Sequence, residues 1–124
     1  MKQKPKLHKL LRLGIDFDGT ICQSYYDSKS DKWIMGDPTP GIEGVLKKLI
    51  TKYHKRLWVY TSRADHEYIE VEEWLKKHNL LQYFHGIETG KKLFVLLIDD
   101  RAIRFNGNWN ETLVEVEKYL INLQ

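Results

Sequence analysis

The stretch Gly14–Ile21, GIDFDGTI, decides how this chain is read. It closes an apolar run, Leu10 to Phe17 (LLRLGIDF), that reads as a buried strand. Side chains alternate along extended backbone, so Asp16 and Asp18 point the same way while Phe17 points into the core. Gly19 then lets the backbone turn sharply and leaves room for a ligand. Two carboxylates at such a place belong to a mouth at the end of a strand, because burying them unpaired inside a core is costly.

Working outward, the same arrangement recurs. LWVY, Leu57 to Tyr60, is a second apolar run and stops at Thr61-Ser62-Arg63. HGIE suggests a short third strand. LFVLLI, Leu93 to Ile98, is the most apolar run and ends in Asp99-Asp100, and AIRF suggests a small edge strand. Between the runs lie helical periods. Ile42, Val45, Leu46, Leu49, Ile50 and Tyr53 make one apolar face, with Lys47, Lys48 and Lys52 on the wet side. Asp65 suits the start of a second helix that runs to about His78, with Ile69, Trp74 and Leu75 inward and Asn79 at its end. A last helix from about Asn110 to Leu123 buries Leu113, Val116, Leu120 and Leu123. The stretch CQSYYDSKSDKWIMGDPTPG, residues 22–41, reads as the longest loop, and loops of that length in a compact domain are usually functional. Strands that are almost continuously apolar and alternate with helices predict an α/β fold: a three-layer α/β/α sandwich around a parallel sheet.

The 124 residues suffice for one domain, residues 1–124, and the 42% apolar share argues against disorder. The formal charge of +3 is mild, and the Lys-rich start MKQKPKLHK reads as a solvated arm. Cys22 is the only cysteine, which excludes an internal disulfide and fits a reducing compartment. With no signal-peptide pattern and no stretch of membrane-spanning length, a soluble cytoplasmic protein is expected. The five histidines show no metal spacing. A calcium loop is a poor reading of DFDGT, because Asp27 stands where a twelfth-position Glu belongs.

In an open parallel sheet the ligand site lies beyond the carboxyl ends of the strands. Asp16/Asp18, Thr61/Ser62 and Asp99/Asp100 should therefore converge. Four carboxylates together repel unless some are neutral or a cation sits among them, and hard oxygen ligands suit Mg²⁺. Thr61 with nearby backbone N–H groups, and Lys91 or Lys92, would receive a phosphate. The set reads as phosphoryl transfer to a carboxylate nucleophile.

These residues resemble the haloacid dehalogenase-like (HAD) hydrolases. DFDGT matches their first motif, D-x-D-G-T; LWVYT resembles the second; a Lys before the last core strand resembles the third; LLIDD resembles the fourth. The resemblance spans about residue 10 to 105 and implies a Rossmann-like, HAD-like phosphatase. The short spacing around the motifs leaves no room for a cap domain. By resemblance, Asp16 is the nucleophile and Asp18 the general acid and then base. Asp16, the Asp18 carbonyl, Asp99 and Asp100 would hold Mg²⁺. Thr61, Ser62, Gly19 and Thr20 would bind the phosphoryl group or shape its loop, and Lys91 rather than Lys92 would be the site lysine. Tyr25, Tyr26 and Trp33 would form part of the rim. The expected activity is Mg²⁺-dependent hydrolysis of a phosphate monoester through an aspartyl-phosphate. The alternative is a non-catalytic, receiver-like domain that senses phosphate or binds a partner. Whether the phosphorylated substrate is a small molecule or a macromolecule, nucleic acid included, stays open, as does oligomeric state.

Overall fold

The computed structural model describes residues 11–122. The Lys-rich arm, Leu10 and Leu123 lie outside the described residues. The elements in order are β1 (Arg12–Ile15), β2 (Tyr25–Asp27), β3 (Lys32–Ile34), α1 (Ile42–Thr51), β4 (Arg56–Tyr60), α2 (Tyr68–Lys77), β5 (Phe84–Glu88) and α3 (Trp109–Asn122). Single 3₁₀ turns precede α2 and β5.

The main sheet is parallel, in the order β1-β4-β5. Arg12 pairs with Arg56 and Ile15 with Val59; on the other side of β4, Val59 pairs with Ile87. α1 connects β1 to β4, and α2 connects β4 to β5. This is the mixed α/β layout that alternating apolar runs and helical periods predict, and it is compatible with a Rossmann-like arrangement.

Strand alternation sorts the sheet into two unlike faces. Ile15, Leu57, Val59 and Ile87 are buried and share one cluster with Val45, Leu46 and Leu49 of α1, Val71, Trp74 and Leu75 of α2, and Trp109 and Leu120 of α3. At roughly 1.5–3 kcal/mol for each large apolar side chain buried, this cluster is the main stabilising term. On the opposite face Arg12, Gly14, Trp58, Tyr60 and Glu88 border an open hollow of about 200 Å³. Arg12 stacks over the Trp58 ring at 4.6 Å and pairs with Glu88 at 3.5 Å. Gly86 is needed there, because a Cβ at this position would come within 2.4 Å of the Trp58 ring.

Three expectations are corrected. Residues 93–98 form no strand: all six apolar side chains, Leu93 to Ile98, are exposed, and among the described residues no strand pairs on the outer side of β1. Apolar content makes a segment fit to be a buried strand, but the ladder forms only where the segment is laid on an edge and exchanges hydrogen bonds with it. AIRF is likewise irregular. In α2, Ile69 is exposed and Val71 takes the inward place, because Val71 lies three and four residues before the buried Trp74 and Leu75 and so shares their face, while Ile69 does not.

The 22–41 stretch is not a plain loop. Tyr25–Asp27 and Lys32–Ile34 pair as an antiparallel hairpin, closed by Asp27, whose carboxylate accepts from the Lys29 N–H at 3.1 Å and the Ser30 hydroxyl at 2.8 Å. Such side-chain closure of a turn is what Asp and Ser favour.

Candidate functional site

The site is built where β1 and β4 end. Past Ile15 the chain leaves the sheet in a tight turn around one carbonyl: the Phe17 oxygen accepts from the N–H groups of Thr20, Ile21 and Cys22 at 3.2, 3.0 and 3.0 Å. Gly19 sits at φ 78°, the left-handed region that a side chain disfavours. Phe17 is fully buried and meets Trp74 edge-on at 5.2 Å. The far end of the turn is pinned at the Thr20 carbonyl, which accepts from the Thr39 hydroxyl at 2.6 Å and from Trp109 Nε1 at 3.2 Å. Trp109, 89 residues along the chain, thus holds the loop that carries both aspartates.

Asp16 is half-buried. Its Oδ1 lies 3.7 Å from the Lys91 ammonium, and its Oδ2 accepts a long 3.4 Å hydrogen bond from the Thr20 hydroxyl. Burial pushes the Asp16 carboxyl above its ordinary value; the Lys91 charge pulls it back in part. Lys91 is placed by its own backbone, whose N–H donates to the Thr61 carbonyl at 3.0 Å, while its ammonium also lies 5.3 Å from the Tyr60 ring centre. Lys92 is exposed. The two adjacent lysines thus have different surroundings, Lys91 at the carboxylate and Lys92 in solvent.

Asp18 has different company. Arg63 grips it through two donors, Nε to Oδ2 at 2.8 Å and a terminal N–H to Oδ1 at 2.9 Å, and the Ser24 hydroxyl adds a third bond to Oδ1 at 2.6 Å. The Arg63 side chain is only 7% exposed, and its other terminal nitrogen meets Glu67 at 3.1 Å. This two-pronged pairing, chiefly through the Asp18 hydrogen bonds, raises the guanidinium's already high proton affinity. Neither Arg63 nor Ser24 stands out as a site residue in the sequence. The signal present is an Arg two residues beyond a polar strand end, next to an acidic pair that needs a counter-charge.

Thr61 is buried at the end of β4; its hydroxyl oxygen accepts from the Arg63 N–H at 3.1 Å, which leaves its O–H to donate elsewhere. Ser62 is exposed beside it. Cys22 is buried, and burial raises its thiol, so it behaves as a small inert core group.

Asp99 and Asp100 do not join this set. Both are exposed, and Asp99 Oδ1 accepts from the Arg101 N–H at 3.0 Å. Among the described residues no three His, Cys, Asp or Glu side chains gather closely enough to hold a metal ion. In this arrangement Asp16 and Asp18 are separately partnered, and Asp99 and Asp100 lie on a segment that is not laid against β1.

What remains is a part-buried carboxylate facing an ammonium, beside a second carboxylate locked by an arginine. No described helix is long and apolar enough to cross a membrane. Against models of protein families, curated proteins and solved structures, the chain shows no match.

Proposed function

We propose that this chain is a phosphatase that hydrolyses a phosphate monoester through an aspartyl-phosphate on Asp16. The observation that carries the reading is the Lys91 ammonium 3.7 Å from Asp16 Oδ1, at the carboxyl end of a parallel strand. The motif resemblance to haloacid dehalogenase-like hydrolases points the same way.

In this reading a carboxylate oxygen of Asp16 forms a bond to phosphorus as the ester P–O bond breaks. The leaving oxygen takes a proton, with Asp18 the nearest carboxyl for that role. Water then gives a proton to Asp18 as it attacks phosphorus, the Asp16–P bond breaks, and phosphate leaves. Lys91 neutralises charge on the phosphoryl oxygens, as positioned cations do in phosphoryl transfer. Arg63 and Ser24 hold Asp18 in place, and each turnover requires Asp18 to exchange one of those bonds for the leaving group. Thr61 and Gly19 shape the phosphoryl pocket, with Ser62 and Thr20 at its border.

The finer architecture belongs to the same proposal. Six consecutive exposed apolar residues, 93–98, and the outer edge of β1, unpaired among the described residues, are complementary needs. Laid on that edge as a fourth parallel strand, the segment would carry Asp99 and Asp100 toward Asp16, and the sheet would gain the frame of a capless three-layer sandwich. Mg²⁺ would be held in that closed arrangement by Asp16, Asp18, Asp99 and Asp100, and its chemistry would be charge neutralisation of the phosphoryl group. A cytoplasmic setting fits the single, buried, free thiol.

One observation favours the non-catalytic alternative, a phosphate-sensing domain: both Asp18 oxygens are already occupied by Arg63 and Ser24. Turnover separates the two readings. With an aryl phosphate and Mg²⁺, the wild type should release phosphate, and acid-quenched protein should carry phosphate on Asp16. Asp16→Asn, nearly the same shape and a far weaker nucleophile, should reduce both to background. Phosphate release by Asp16→Asn at the wild-type rate overturns the nucleophile assignment.

A further inference from the structure

The hairpin formed by β2 and β3 carries three exposed aromatic rings that no core requirement explains. Tyr25, Tyr26 and Trp33 are 58%, 50% and 56% exposed. Tyr26 and Trp33 are directly paired across the hairpin and so lie on one face, with ring centres 5.9 Å apart at 62°. Single exposed apolar side chains are ordinary; two rings held together on a projecting ribbon are a surface with a use.

The ribbon is held firmly at its root. Gln23 N–H donates to the Asp37 carbonyl at 2.8 Å, Gly36 N–H donates to the Gln23 carbonyl at 3.1 Å, and Trp74 Nε1 of α2 donates to the Gly36 carbonyl at 2.9 Å. At its tip the Tyr26 hydroxyl donates to Asp31. The rings are therefore presented by a fixed backbone. The ribbon starts at the site: Ser24, the residue before β2, donates its hydroxyl to Asp18 at 2.6 Å. Tyr26 and its cross-strand partner Trp33 lie the next step along the ribbon. The ribbon thus carries, in order, a contact to the site and an aromatic pair.

We infer that Tyr26 and Trp33 form a stacking platform for a flat aromatic ring carried by the substrate, and that the substrate class is a nucleoside monophosphate or a phosphate ester of similar planar chemistry. The inference rests on the phosphatase reading. With the phosphoryl group at Asp16 and Lys91, the rest of the ester extends along the hairpin. A π-face against a base contributes affinity without hydrogen-bond readout, on the order of 1–3 kcal/mol for each ring stacked. A sugar phosphate offers no such face.

The test uses the full chain carrying Asp16→Asn, so that ligands bind without being consumed, and measures dissociation constants by calorimetry for adenosine 5′-monophosphate and ribose 5-phosphate. The nucleotide should bind about tenfold tighter or more, in keeping with that stacking range. Adding Trp33→Leu should abolish the difference and leave ribose 5-phosphate binding unchanged. Trp33→Phe, which keeps a flat ring, should retain most of it. Equal binding of the two ligands, or a preference indifferent to Trp33→Leu, overturns the platform while phosphatase activity of the wild type still stands. If neither phosphate binds and the wild type hydrolyses no ester, the phosphatase reading fails and the platform fails with it.

Discussion

Residues 14–24 and residues 93–105 are both chemically conspicuous in the sequence, and the fold treats them in opposite ways. The first stretch is closed by bonds within itself: one carbonyl collects three N–H donors, and Gly19 supplies the left-handed turn. It is then pinned from outside by Thr39, Trp109 and Arg63. The second stretch has greater apolar content yet stays exposed from Leu93 through Ile98. Turn chemistry is local and sets itself up. A buried strand requires an edge to receive it and a layer to cover it, and neither is assembled by the segment's own residues.

Four measurements would break or sharpen this contrast. The largest effect belongs to the pocket. Lys91→Met should lower kcat by about 10²-fold, the scale for removing one positioned electrostatic group, while Lys92→Met should leave it near the wild-type value. The acid limb of the pH–rate profile adds a signature. In the phosphatase reading Asp16 must be ionised to attack; burial already raises its carboxyl above the ordinary value, and Lys91 is the main influence holding it down. Lys91→Met should therefore move that limb to higher pH. Equal effects from the two lysines would remove the distinction drawn between them.

The next effect is on stability. Leu57 is fully buried in β4, so Leu57→Ala should cost about 2–5 kcal/mol in urea unfolding. Leu96 is 73% exposed, and Leu96→Ala without Mg²⁺ should fall within about 0.5 kcal/mol of the wild type. A large loss at Leu96 would mean that residues 93–98 are packed even without the ion.

Mg²⁺ addresses the same segment. Its amides should exchange freely without the ion and become protected with it, and the melting temperature should rise by linkage. Asp99→Ala should remove both responses. Exchange and melting that ignore Mg²⁺ would sink the fourth-strand proposal and the metal assignment together.

The smallest effect is the pH dependence of folding stability at Asp16. Burial raises its carboxyl in the folded chain, so the folded state holds a proton that the unfolded chain has released. That contribution is favourable at low pH and is lost as pH rises from the ordinary value, 3.8, through the raised folded one. Asp16→Asn cannot ionise. Its stability relative to the wild type should therefore be greater near about pH 7 than near about pH 3, as read by urea unfolding. A relative stability that stays flat or falls with pH would mean that Lys91 outweighs burial.

The sequence by itself determined the parts whose physics is short-range. The helical period marks α1, down to its buried Ile42, Val45, Leu46 and Leu49. The alternation of runs gives the parallel sheet, and D-x-D-G-T gives the turn and the place of Asp16. The tertiary structure alone decided what each charge faces. Arg63 finds Asp18 across 45 residues, Ser24 reaches it from the root of a hairpin whose pairing the loop-like composition conceals, and Trp109 closes the turn from the last helix. It also decided that the most apolar run would go unpaired. A side chain's polarity is a property of the residue, but its partner is a property of the space around it, and that space exists only once distant segments have packed.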